Sequence, residues 1–190
     1  MNILIKTALI ASLAAPAAMA SAQSSNILTV DVQRIYRECN ACKTASTQLQ
    51  TQAQQLQAYA TQVGQPLQTE AEAIRTALAG KSPDAADAAT RTRIQAFEAK
   101  RQQADQQVQQ RQQALQATQQ NVLRQVNTKL GPIVTTVMTA HKATLVVDEN
   151  STLASAPTVD VTNEVMAQLN TQLPTISTTP PAAAAAPTGR

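Results

Sequence analysis

The chain has 190 residues, of which 43% are hydrophobic but only 2% aromatic, with one Phe, two Tyr and no Trp. So few large rings leave little apolar area to bury per residue, which argues against an ordinary globular core as the organising feature. A net charge of +3 is too small to support nucleic-acid binding, and the lack of any G-x-x-x-x-G-K stretch excludes a P-loop nucleotide site.

Lys6 precedes the apolar run Thr7 to Ala15, and Ala18-Met19-Ala20 places small residues around a cleavage point. That is the pattern of a secretory signal peptide over residues 1–22. The run is too short to remain as a membrane anchor, and no lipobox-like Cys follows it. The expected product is a soluble periplasmic protein of about 168 residues, a length suited to one domain. Loss of Lys6 leaves 14 basic against 12 acidic side chains, a net charge of +2.

Ile27-Leu28-Thr29-Val30 reads as a short strand of aliphatic and β-branched residues. Asp31 is placed to cap the helix that follows. From there the spacing predicts one helix over about residues 33–79, with inward positions alternating by four and three: Ile35, Cys39, Cys42, Ser46, Leu49, Ala53, Leu56, Ala60, Val63, Leu67, Glu70 and Ile74. This is a heptad seam with one charged member, Glu70. At 1.5 Å per residue the helix spans roughly 70 Å, longer than a compact domain of this size is wide. Gly64-Gln65-Pro66 lies within it, and the proline removes one backbone bond and predicts a kink over residues 61–66.

Gly80-Lys81-Ser82-Pro83 reads as a tip, with Gly80 a helix C-cap, Ser82 an N-cap and Pro83 the first residue of a new helix. So short a loop makes the two helices antiparallel neighbours. The return helix, from Asp84 to about Leu130, carries its own seam at Ile94, Phe97, Arg101, Ala104, Val108, Arg111, Leu115, Thr118 and Val122. Its glutamine pairs form a solvated, uncharged face, because the apolar spacing between them is helical. Many seam positions are Ala, Ser or Thr, so each turn buries about one Leu-sized group, roughly 1.5–3 kcal/mol. Helix propensity of Ala, Gln, Leu, Arg and Glu must supply much of the remaining stability.

Gly131-Pro132 predicts a bend or restart, after which Ile133, Val134, Val137 and Met138 widen the apolar stripe. His141 suits a helix C-terminus, where a lone His most often satisfies the dipole. Residues 144–148 read as a second strand and residues 152–156 as a third. Asp160 is placed to cap a last helix over about residues 161–169, and the Thr-, Pro- and Ala-rich stretch from Pro174 to Arg190 is expected to be disordered.

Cys39 and Cys42 form the chain's one C-x-x-C. A redox pair of this spacing needs a surrounding βαβ fold, whereas both fall on the helical seam, so they read as small apolar packing residues, with a local or an inter-subunit disulfide open. The single His leaves no ligand set for a metal.

Taken together, the signal peptide, the strand ending in Asp31, the long helical hairpin, the run Leu145-Val146-Val147-Asp148, and Asp160-Val161-Thr162 with Val165 and Leu169 resemble the Skp/OmpH family of periplasmic chaperones over about residues 26–170. The resemblance implies an α+β fold dominated by a long antiparallel helical hairpin, a coiled coil, hanging from a small β-rich body that assembles as a trimer. Residues 23–43 and 127–173 would form the body and residues 44–126 the arm. It further implies a homotrimer that holds unfolded outer-membrane proteins between its arms without ATP, cofactor or catalytic residue.

Under that reading the candidate client-binding surface of the arm is Leu49, Leu56, Val63, Leu67, Ile74, Phe97, Val108 and Leu115. Arg91, Arg93, Lys100 and Arg101 form a basic arm patch, and Ile27, Leu28, Val30, Leu145, Val146 and Val147 the oligomerisation strands. Family arms are strongly basic, whereas residues 43–129 here hold 10 basic and 6 acidic side chains, so affinity for lipopolysaccharide or a membrane surface is expected to be weak. The alternative is a periplasmic coiled-coil spacer or adaptor that docks through tip residues 80–84.

Overall fold

A computed structural model describes residues 26–179. The signal-peptide assignment and residues 180–190 of the tail lie outside the described residues. Strand β1 (Ile27–Val30) leads into helix α1 (Val32–Glu38) and then α2 (Asn40–Leu78); a single 3-10 turn (Pro83–Ala85) precedes α3 (Ala88–Ala140), followed by β2 (Leu145–Asp148), 3-10 turns at Glu149–Ser151 and Pro157–Val159, and α4 (Thr162–Gln172).

Asp31 caps α1 as expected, its Oδ1 accepting the Arg34 N–H at 2.8 Å. That bond holds the carboxyl below its usual range. The predicted single helix over residues 33–79 is instead two helices that meet at Cys39, whose ψ of 142° is not helical. Cys39 and Cys42 are joined as a disulfide, with a Cα–Cα distance of 5.0 Å. The Cys42 N–H donates to Cys39 Sγ at 3.0 Å, and the Asn40 N–H to Asn170 Oδ1 of α4 at 2.8 Å. Two of the free amides that open any helix are thereby satisfied, so the start of α2 is capped.

Neither proline ends a helix. α2 passes through Pro66, and α3 continues from Ala88 to Ala140 through Gly131-Pro132, where the sequence predicts a bend or a restart; of the two, the restart does not occur. Packing decides the second case: Val126, Leu130, Ile133 and Val137 are 1, 6, 1 and 0% exposed on one face, while Pro132 points to solvent. At the tip the C-cap is Ala79, with φ of 48°, and Gly80 follows at φ of 80°. Ser82 makes no side-chain cap bond; α3 starts four residues later than Asp84, at Ala88, because Asp87 Oδ1 accepts the Thr90 N–H at 2.7 Å.

β1 and β2 pair in parallel, Ile27 with Leu145 through Val30 with Asp148. The third strand expected at residues 152–156 is absent. That stretch lies between two 3-10 turns, and Thr152 turns back on Glu149 through both its N–H (3.0 Å) and its hydroxyl (2.8 Å). The other edge of β1 receives one residue only, Asp160 opposite Thr29, with the Val161 N–H bonded to the Thr29 carbonyl at 2.9 Å. Asp160 stands one residue before the N-cap of α4, yet its Oδ1 accepts the Thr162 N–H at 2.8 Å.

The apolar core gathers where β1, α1, the start of α2, the end of α3 and α4 meet, around Leu28, Val30, Ile35, Cys39, Cys42, Ile133, Val137, Val165 and Leu169. Residues 174–179, read from the sequence as the start of a disordered tail, return across the base of the hairpin, and Ile176 packs against this core. Beyond the base, α2 and α3 run alone as an antiparallel pair.

Candidate functional site: the hairpin arm and its base

Helix α3 of 53 residues spans about 80 Å. Its register against α2 is set by polar contacts that the seam residues do not explain. The Tyr36 hydroxyl bonds Asn127 Oδ1, and the Tyr59 hydroxyl bonds Gln107 Oε1. The Arg111 guanidinium lies 4.0 Å from the centre of the Tyr59 ring, a cation–π contact. Nearer the tip, Glu70 and Arg93 form a two-pronged ion pair at 2.6 and 3.1 Å. The Arg93 hydrogen bonds hold the Glu70 carboxyl below its ordinary range and raise the guanidinium. Tyr36, on α1, thus ties α3 to the body, and Tyr59 serves as a rung between α2 and α3, roles that spacing alone does not reveal.

Of the eight apolar arm residues, Ile74 is buried, and Leu49, Leu56, Val63, Leu67, Phe97, Val108 and Leu115 are half-buried. They sit on the seam, with shallow open grooves along it: Gln52, Leu56, Arg111 and Leu115 line one, and Val63, Leu67, Ala104 and Val108 another. The seam departs from the predicted one near the base. Ala45 is 1% exposed and Gln52 half-buried, whereas Ser46 and Ala53 face solvent. An α-helix at 3.6 residues per turn drifts against a strict seven-residue repeat. Arg101, also assigned to a seam, is exposed as well.

The basic patch is partly neutralised. Arg93 is bound to Glu70, and Arg101 to Glu98 at 2.8 Å. Arg91 and Lys100 are exposed, and each acts at a distance on a carboxylate, Arg91 on Asp87 and Lys100 on Glu70. The four cations therefore form a mixed-charge surface.

At the other end of the arm, Leu28 and Val30 of β1 point into the core, and Val146 and Val147 are half-buried. Their neighbours Ile27 and Leu145, paired across the sheet, remain 44% and 48% exposed, and Leu153 stands free of any packing. His141 closes α3, and its Nε2 lies 2.8 Å from Glu164 of α4. Three glutamines not foreseen from the sequence, Gln48, Gln52 and Gln125, hold residues 177 and 178 against the arm base. In a segment so rich in Gln, nothing local marks these three from the rest.

A search of curated proteins finds no match. A crystal structure from Caulobacter crescentus CB15, described as an OmpH-like outer membrane chaperone, superposes with a TM-score of 0.66 at 24% identity, covering 80% of this chain and 88% of that one. At that identity the likeness speaks for the fold. The family model for OmpH-like outer membrane proteins matches residues 26–169, a span that holds β1, the hairpin, β2 and most of α4, and the chain therefore belongs to the OmpH-like family.

Proposed function

We propose that this protein is an ATP-independent holdase of the periplasm, a homotrimer that keeps unfolded outer-membrane proteins from aggregating between its hairpin arms. The observation that carries the reading is the contrast at the body. A sheet of two four-residue strands is marginal alone, and here it sits beside exposed Ile27, Leu145 and Leu153, a surface suited to other copies of the same body. Assembly would set several long arms around one space. Their half-buried seams, with Leu56, Val63, Leu67, Val108 and Leu115 bordering open grooves, offer many weak apolar contacts and no enclosed pocket, which suits a client that must stay mobile. The sequence holds no P-loop, so release is expected to follow from the client's own folding.

Two measurements test this. The mature protein is expected at three times the chain mass, and at equimolar trimer it is expected to suppress aggregation of a β-barrel membrane protein diluted from denaturant. No suppression defeats the reading. The spacer alternative separates from it at the tip: exchanging residues 80–84 for an unrelated short loop is expected to leave suppression intact, whereas a protein that docks through its tip would lose its function.

A further inference from the structure

Residues 174–179 pass from the end of α4 across the base of the arm, where glutamines from both arm helices hold their backbone. Gln125 on α3 applies both ends of its carboxamide to one residue: Oε1 accepts the Ser177 N–H at 3.0 Å, and Nε2 donates to the Ser177 carbonyl at 3.0 Å. From α2, Gln52 Nε2 donates to the Thr178 carbonyl at 2.9 Å, and Gln48 Oε1 accepts the Thr178 hydroxyl at 2.5 Å. Ile176 is half-buried against the body core.

A residue that turns its N–H and C=O to one partner is locally extended, as in the hydrogen-bonded pairs of an antiparallel sheet. Gln125 thus stands in for a neighbouring strand. Three of the four bonds go to main-chain groups that every non-proline residue carries, so the clasp selects extended backbone with little regard to sequence. The slot beside it takes one apolar side chain. Thr175-Ile176-Ser177 reads polar, apolar, polar, three residues that fit the period-two alternation of an extended strand.

The geometry points to a binding site for one extended, alternating stretch of unfolded polypeptide, which the chain's own residues 174–179 fill until a client stretch displaces them. This rests on the holdase reading and adds the place and chemistry of a first contact. A segment tethered directly to α4 acts at an effective concentration on the order of millimolar. A short free peptide competes poorly against it, whereas a long unfolded chain that also touches the arm seam gains enough from the added contacts to win. The tail thereby biases the arm base toward long clients.

The test uses the full chain and a fluorescein-labelled peptide of residues 173–179, Leu-Pro-Thr-Ile-Ser-Thr-Thr, read by anisotropy. Ser177→Pro removes the N–H that Gln125 accepts and frees the site. Because apparent affinity scales with the fraction of sites open, this variant is expected to bind the peptide about tenfold more tightly than the wild type. Gln125→Met added to Ser177→Pro, with unchanged helical circular dichroism, is expected to abolish the gain, and a peptide with Pro in place of Ser is expected not to bind. Equal affinity of wild type and Ser177→Pro, or equal binding of the two peptides, overturns the site. Suppression of barrel-protein aggregation, measured alongside, keeps the two ideas apart. Intact suppression with equal peptide affinities removes the clasp alone, and peptide uptake by Ser177→Pro without suppression by the wild type removes the holdase reading alone.

Discussion

The body and the arm are built from the same two long helices, yet different forces hold them. At the base, Ile35, Ile133, Val137, Val165 and Leu169 are no more than 1% exposed, and β1, α1 and α4 enclose them from several sides. Along the arm, α2 and α3 have only each other. Most of their seam is half-buried, and Ile74, Thr90, Thr118 and Val122 mark the places where water is excluded. Stability is thus concentrated at one end of an 80 Å rod, and the far end depends on helix propensity, the Tyr59–Gln107 rung and the Glu70–Arg93 pair. A thinly packed arm on a firm base is free to open without unfolding the whole.

The sharpest test of that contrast is a matched pair of truncations. Leu169→Ala in the body is expected to cost about 2–5 kcal/mol in urea unfolding, and Leu56→Ala in the arm about 1 kcal/mol, because its half-buried side chain has less to lose. Equal costs would mean that the arm is packed as tightly as the body. Next in size, Pro66→Ala restores an interior helical bond and is expected to stabilise the arm by an amount on the order of 3 kcal/mol, less any strain the proline relieves. The readout is slower amide exchange over residues 61–67, with exchange in β1 and β2 unchanged. If residues 61–67 already exchange as slowly as the strands, the arm is no more yielding than the body.

Replacing both Cys39 and Cys42 by Ala opens a very short covalent loop and is expected to lower stability by about 2 kcal/mol on loop-closure entropy. Thermal unfolding measures it, and the loss belongs to the body, where both sulfurs are buried. The smallest effect concerns pH. Arg93 depresses the pKa of Glu70 in the folded arm, so this contribution is fully present above the ordinary glutamate value of about 4.3 and is lost as pH falls through the lower folded value. Amide protection near residues 70 and 93, the exchange rate corrected for its intrinsic pH dependence, is expected to fall with acid in the wild type. In Glu70→Gln that acid-dependent part is expected to vanish, with no change at Leu169.

What could be read from the residues was what short-range chemistry decides. The hairpin follows from four-and-three spacing along residues 35–74 and 94–122, its antiparallel sense from the short tip at Gly80 to Pro83, and the start of α1 from Asp31. Those signals lie within a few residues of what they control. Gly131-Pro132 shows the limit: the local rule predicts a bend or a restart, and the restart does not occur because Leu130, Ile133 and Val137 are held from outside the helix and carry α3 across.

The candidate site was legible in outline only. Leu56, Val63, Leu67, Val108 and Leu115 were identifiable as seam residues, while the pairing of Tyr59 with Gln107 and of Glu70 with Arg93 joins positions far apart in the chain. The amino-acid sequence by itself determined that two long helices pair along one apolar stripe, though not where each begins, breaks and ends, because propensity and periodicity act between neighbours. The tertiary structure alone decided the break at Cys39, the single-residue bridge at Asp160 in place of a third strand, and the docking of residues 174–179 on Gln48, Gln52 and Gln125. Each of these satisfies a backbone group with a partner more than 50 residues away or with a side chain whose neighbours look alike, and no local pattern encodes such a choice.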